Sequence, residues 1–174
     1  RLPRDARYGV FEIGMNHPGE IEPLARQVGA HVGIVTNVGP VHIGHMGSEE
    51  AVADEKGCLF AGMVEGAVAV LNRDSRHYER LAGKARHFGV SRVIGFGRSE
   101  AAAARLVSCD LQDSGSDVAA LIHGRRIEYR LGAALNVNSP LRRGDRLDRL
   151  SLARMKVSAV PFLFKPIAEQ FLGG

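Results

Sequence analysis

The chain has 174 residues, 45% hydrophobic and 24% charged, which is enough for one good core and ordinary for a soluble globular protein. No stretch approaches the roughly 18 consecutive apolar residues of a membrane span, and no charged-then-apolar leader opens the sequence, so the expectation is a cytoplasmic protein with neither span nor signal peptide. The formal net charge of +4 belongs to residues 141–174, where seven Lys or Arg meet three acids, while residues 1–140 hold sixteen of each sign; this argues against a nucleic-acid-binding core.

Residues 1–7 are a polar, basic lead-in. YGVFEIG (8–14) reads as a short apolar strand with Glu12 near its end. A buried strand tolerates a carboxylate poorly unless the carboxylate is paired or binds a metal, and the carboxyl ends of parallel strands are where α/β proteins place ligands; the alternative is an edge glutamate facing solvent. Pro18 and Gly19 mark a turn, and Ile21, Leu24, Ala25 and Val28 keep helical spacing, which predicts a helix over about Glu20 to Val28. HVGIVTN (31–37) reads as a second strand closing on Asn37. The glycine-rich turn that follows carries His42 and His45, each of which taken alone reads as a surface histidine.

Ser48 is a good N-cap, Glu49 and Glu50 suit a first turn, and the helix they open is expected to run to about Met63 before Gly66. At about 100° per residue, its apolar members Val52, Leu59, Phe60 and Met63 fall within about 60° of Lys56. That lysine therefore points where the core points. Either its stem snorkels past the core edge, or desolvation favours the neutral amine, which is a nucleophile or the precursor of a metal-site group.

GAVAVLN (66–72) gives a third strand ending on Asn72, RDSRHYERLAGKARHFG (73–89) a helix, and SRVIGFG (91–97) a fourth strand. The alternation predicts an α/β fold with right-handed crossovers and a mostly parallel sheet flanked by helices. Glu12, Asn37 and Asn72 each close a strand, so they outline one rim of that sheet, which Lys56 and His42 enter from the adjacent helix and turn. From Ala101 three strand-like segments follow without a helix, predicting a small antiparallel sheet appended to the parallel one, with HGRR as a hairpin turn. Residues 133–174 are arginine-rich, then apolar but broken by Pro161 and Pro166. Cys58 and Cys109 make neither a metal-ligand spacing nor a disulfide framework.

Taken together, FEIGMNHPGEIEPLA, IVTNVGPVHIGHMGSEEAVADEKGCLF and AVLNRDSRHYERLA resemble the central domain of the Mur ligases, over about residues 8–132. The resemblance implies a Mur-type ATPase domain at 1–132, lacking its N-terminal phosphate-loop strand, and a tail at 133–174. It implies Mg2+ and ATP as cofactors, with Glu12, His42 and a carbamylated Lys56 on the metals, Lys56 and His42 as the catalytic groups, and Asn72 with Asn37 on the nucleotide side. The activity implied is ATP-dependent amide formation through an acyl phosphate, joining D-Ala-D-Ala to a UDP-MurNAc-tripeptide in peptidoglycan synthesis by a full-length monomeric enzyme. Neither a nucleic acid nor a membrane partner is expected. The family's glycine-rich phosphate loop and its flanking N- and C-terminal domains are not represented in these residues, and no GxxxxGK[ST] occurs. The fragment alone is thus expected to be inactive. Another Mur or folylpolyglutamate-type ligase, or a non-catalytic scaffold domain, are the competing readings.

Overall fold

A computed structural model of the chain describes residues 5–40, 43–112 and 115–132. The chain forms two compact units that part between Phe96 and Gly97. The first carries α1 (Ile21–Val28), β1 (Val32–Val35), α2 (Ile43–Met46), α3 (Glu49–Gly57), a 3-10 segment (Cys58–Gly62), β2 (Val68–Asn72), α4 (Tyr78–His87) and β3 (Arg92–Gly97); the second carries β4 (Ala104–Gln112), β5 (Gly115–Ile122) and β6 (Arg125–Gly132).

In the first unit β1 pairs with β2 and β2 with β3, both parallel, with Val35 beside Leu71 and Leu71 beside Gly95. The central strand β2 is buried from Val68 to Leu71, as expected of a parallel strand covered on both faces. Val35, Ala69 and Leu71 share one core with Ile21, Val52, Ala53, Phe60, Leu81, Ala82 and Ala85 from the helices. Phe60, Leu71 and Val52 are among its fully buried large side chains, and each contributes roughly 1.5–3 kcal/mol by leaving water.

α3 starts where its sequence says it should. Ser48 is extended (φ −151°, ψ 165°) and its Oγ accepts the Ala51 N–H at 3.1 Å. The helix does not run to Met63 as α-helix; it tightens into the 3-10 segment at Cys58. Gly57 and Gly62 explain this, because glycine is a weak helix former and the 3-10 turn is the usual way for a helix to end. Gly62 also lies directly against the backbone of Ala25 and Arg26 in α1, where a Cβ would have no room.

One predicted element is absent. Residues 8–15 take no strand, and Tyr8, Val10 and Phe11 are 53%, 64% and 52% exposed. Strand-forming side chains do not make a strand without a ladder to join, and among the described residues β1 pairs only with β2. Met15 alone of this stretch is buried in the core.

In the second unit β4, β5 and β6 form an antiparallel meander, with a register shift between Leu106 and Ser108. The β5–β6 hairpin turns through His123 (φ 49°) and Gly124 (φ 80°), the two successive positive φ values that the tightest hairpin turn demands. Val118, Ala120 and Ile122 of β5 are buried on one face. On the other, Asp110, Asp117 and Arg130 form one cross-strand row.

Candidate functional site

β1 and β2 run parallel, so their carboxyl ends lie on one rim. Asn72 is the last residue of β2, and Asn37 stands two residues beyond the end of β1. The Asn72 side chain is half-buried, and its Oδ1 accepts the Asp74 N–H at 2.9 Å, closing a local turn. The amide NH2 makes no hydrogen bond among the described residues, so it can donate to an acceptor on a ligand.

The loop after Asn72 is held firmly. The Arg73 guanidinium lies 4.0 Å from the Tyr78 ring centroid and bonds Glu79 at 2.7 Å. Buried His77 places Nε2 3.0 Å from Glu49 Oε1 and 3.1 Å from Arg76 Nε, and Arg76 Nη2 reaches Glu49 Oε2 at 2.6 Å. Glu49 opens α3, so the Asn72 loop is fastened to the helix that carries Lys56.

Lys56 is partly buried in α3, and burial lowers its amine below the ordinary lysine value. No hydrogen bond or ion pair reaches its Nζ among the described residues. The stripe predicted around it is real, since Val52 and Phe60 are core residues and Leu59 and Met63 pack on the core.

The residue just before it adds what spacing alone missed. Glu55 is 7% exposed, and its two carboxylate oxygens accept the backbone N–H groups of Gly19 and Ile21, each at 2.9 Å. The Ile21 N–H is a donor that the first turn of α1 leaves without a partner inside the helix, and the Gly19 N–H belongs to the turn just before it, so a carboxylate from α3 caps α1 and holds its lead-in across tertiary space. Glu20 serves the same turn from within: its Oε2 accepts Asn16 N–H at 2.6 Å and His17 N–H at 3.1 Å, and its Oε1 lies 3.2 Å from His17 Nδ1. Those backbone donors hold the Glu20 carboxyl below the usual carboxylate range. The His17 ring in turn packs 4.9 Å from that of His45 on α2.

Glu12 is exposed, in the irregular stretch that leads to this turn. His42 lies outside the described residues. Among the described residues no group of three His, Cys, Asp or Glu side chains is arranged to hold a metal, and no hydrogen bond joins Glu12, Asn37, Lys56 and Asn72 to one another. What the fold does bring together is the rim with Asn37 and Asn72, and α3 with both the Asn72 loop and the turn after Glu12. Glu49, Glu55 and His77 were not singled out by spacing. Glu55 carried a usable signal, since it lies three residues after Val52 and four before Leu59, on the edge of the same apolar stripe as Lys56.

Comparison with known proteins bears on what this frame serves. The family model described as Mur ligase middle domain matches residues 1–137. The chain is 27% identical over 103 residues to the UDP-N-acetylmuramoyl-tripeptide–D-alanyl-D-alanine ligase of Rickettsia prowazekii, an alignment that covers 59% of this chain and 23% of that enzyme. In fold it is similar to MurF from Acinetobacter baumannii, with a TM-score of 0.71 at 21% identity over 99% of this chain and 33% of the other. It is also similar to MurF ligase from Thermotoga maritima solved in complex with ADP, with a TM-score of 0.58 at 18% identity over 86% of this chain and 31% of that one. The chain thus spans less than a quarter of the curated relative's length. No helix among the described residues is long and apolar enough to cross a membrane.

Proposed function

This chain belongs to the Mur ligase middle domain family, and from that membership we propose that it is the central, ATP-handling part of a cytoplasmic ligase that joins D-Ala-D-Ala to a UDP-MurNAc-tripeptide. The reaction is amide formation driven by ATP: the tripeptide carboxylate takes the γ-phosphoryl group and ADP leaves, then the amine of D-Ala-D-Ala attacks the acyl phosphate, giving up a proton, and inorganic phosphate leaves. The observation that carries this reading is Lys56, a desolvated lysine in an apolar stripe without a hydrogen-bonding or ionic partner among the described residues. Its neutral amine is favoured by burial, and a neutral amine adds to CO2 to give a carbamate with release of one proton. The product is an anionic oxygen ligand where the chain encodes a cation.

The residues present suit the groups such a ligase uses. Glu12, His42 and a carbamylated Lys56 would hold Mg2+, which takes oxygen ligands readily and offsets charge on transferring phosphoryl oxygens. Asn72, its oxygen already engaged by Asp74, would donate from its amide to a ring nitrogen of adenine, with Asn37 beside it on the same rim. The chain contributes position in both cases, because α3 is fastened at Glu49 to the nucleotide loop and at Glu55 to the turn after Glu12.

The test is phosphate release by the full-length ligase that contains this sequence, supplied with ATP, Mg2+, UDP-MurNAc-tripeptide and D-Ala-D-Ala. Lys56→Met is expected to lower kcat at least 100-fold without lowering the melting temperature. Turnover undiminished in that variant would end the assignment of Lys56.

A further inference from the structure

Lys56 has no partner of its own among the described residues, yet both of its chain neighbours are fixed. Gly57 faces α4 so closely that a Cβ there would meet the Lys84 side chain at 2.6 Å and Leu81 at 3.5 Å. Glu55 faces the opposite neighbour, the turn before α1, and spends both carboxylate oxygens on the Gly19 and Ile21 N–H groups. α3 carries two other carboxylates that reach across to neighbouring elements, but they differ in setting: Glu49 meets Arg76 and His77 at its first turn, and Asp54 meets exposed Arg80 with two bonds of 3.0 Å. Exposed pairs of that kind are screened and hold weakly. Glu55 is the buried one, bound to backbone rather than to a flexible side chain, so it sets both the rotation and the height of α3 against the turn.

That turn is also the end of the segment bearing Glu12. From Glu12 the chain passes through Met15, buried in the core, to Gly19 and Ile21, with Glu20 bracing the bend. We propose that Glu55 is a positioning residue for Lys56: by clamping Gly19 and Ile21 it holds the helix of Lys56 at a constant offset from the segment of Glu12, so that the two metal-side groups share one site. The inference rests on the reading of Lys56 and Glu12 above and adds a residue to it. A merely stabilising Glu55 would change melting in proportion to any other α3 contact. A positioning Glu55 changes the state of Lys56 beyond that proportion.

The experiment uses the whole 174-residue chain with 13C-labelled bicarbonate and Mg2+, and reads the lysine carbamate resonance by 13C NMR, assigned by its loss in Lys56→Met. Glu55→Gln preserves volume but replaces one accepting oxygen by a donor, and Glu55→Asp keeps the charge on a shorter arm. Ser48→Ala is the control, since it weakens α3 at its cap without touching the turn. Melting curves for all variants fix a temperature at which each is folded. The expected result is a carbamate signal in the parent chain, a loss of fivefold or more in both Glu55 variants, and a change under twofold in Ser48→Ala. Wild-type occupancy in Glu55→Gln, or an equal loss in Ser48→Ala, overturns the positioning role while leaving Lys56 in place. A parent chain with no carbamate signal overturns the reading of Lys56 itself, and this inference with it.

Discussion

Lys56 was legible in the sequence because one charge in an apolar helical stripe is conspicuous, and its burial is the physical form of that anomaly. The same burial gives a prediction with a definite sign. Desolvation lowers the folded-state amine, so between the lowered value and the ordinary lysine value the unfolded chain holds a proton that the folded chain has released, and stability rises with pH across that window. Below the window the cost of burying the ammonium is fully present. Lys56→Met is therefore expected to stabilise the chain at neutral pH in bicarbonate-free buffer. The gain should shrink toward zero as pH approaches the ordinary lysine value, which urea unfolding at a series of pH values would show. Asn72 separates structure from ligand differently. Asn72→Asp keeps an oxygen for the Asp74 N–H and loses the amide donors, so it should leave melting within about 0.5 kcal/mol while raising the parent enzyme's KM for ATP about tenfold or more. Equal losses in melting and affinity would tie Asn72 to the turn alone. Glu55 lay on the same stripe, but its partners are 34 and 36 residues away in the chain, a distance over which periodicity carries no information.

At the scale of elements, local rules placed most boundaries. Ser48 capped α3, Asn72 closed β2, and the hairpin turned at His123 and Gly124, all from signals within a few residues. Two expectations failed for reasons that lie beyond such a window. The YGVFEIG strand needs a neighbour's ladder, and none of the described residues supplies it. The expected α-helix to Met63 instead tightens at Cys58, and its Gly62 end lies against the backbone of α1, a contact that no local pattern announces. Glycine at 62 can therefore be tested against glycine at 57. Gly62→Ala puts its methyl group against backbone, which cannot swing away, and should cost 2 kcal/mol or more, about the upper range for overpacking. Gly57→Ala meets the flexible stem of Lys84, and its helix propensity gain of up to about 1 kcal/mol offsets part of the strain, so a loss under about 1 kcal/mol is expected. Denaturant midpoints of the two variants give the comparison, and an equal loss would refute it.

The strand and helix rhythm was enough to read the α/β class, the parallel arrangement of β1 to β3 and the antiparallel arrangement of β4 to β6. It could not reach His42 or residues 133–174, which lie outside the described residues. The sequence contains no GxxxxGK[ST] motif, the glycine-rich loop whose backbone N–H groups cradle phosphates, and such cradles supply much of nucleotide affinity. Alone it is expected to show neither tight ATP binding by calorimetry nor phosphate release above background, and turnover by the purified 174-residue chain would sink that expectation. The uncovered side chains of Tyr8, Val10 and Phe11 have a practical consequence for anyone handling the protein. They belong to an uncharged β-prone run up to Glu12, which is the composition from which intermolecular sheets begin. Light scattering should report particle mass rising with concentration, and Val10→Lys should suppress the rise, making colloidal behaviour, rather than melting, the property that limits work with this chain in solution.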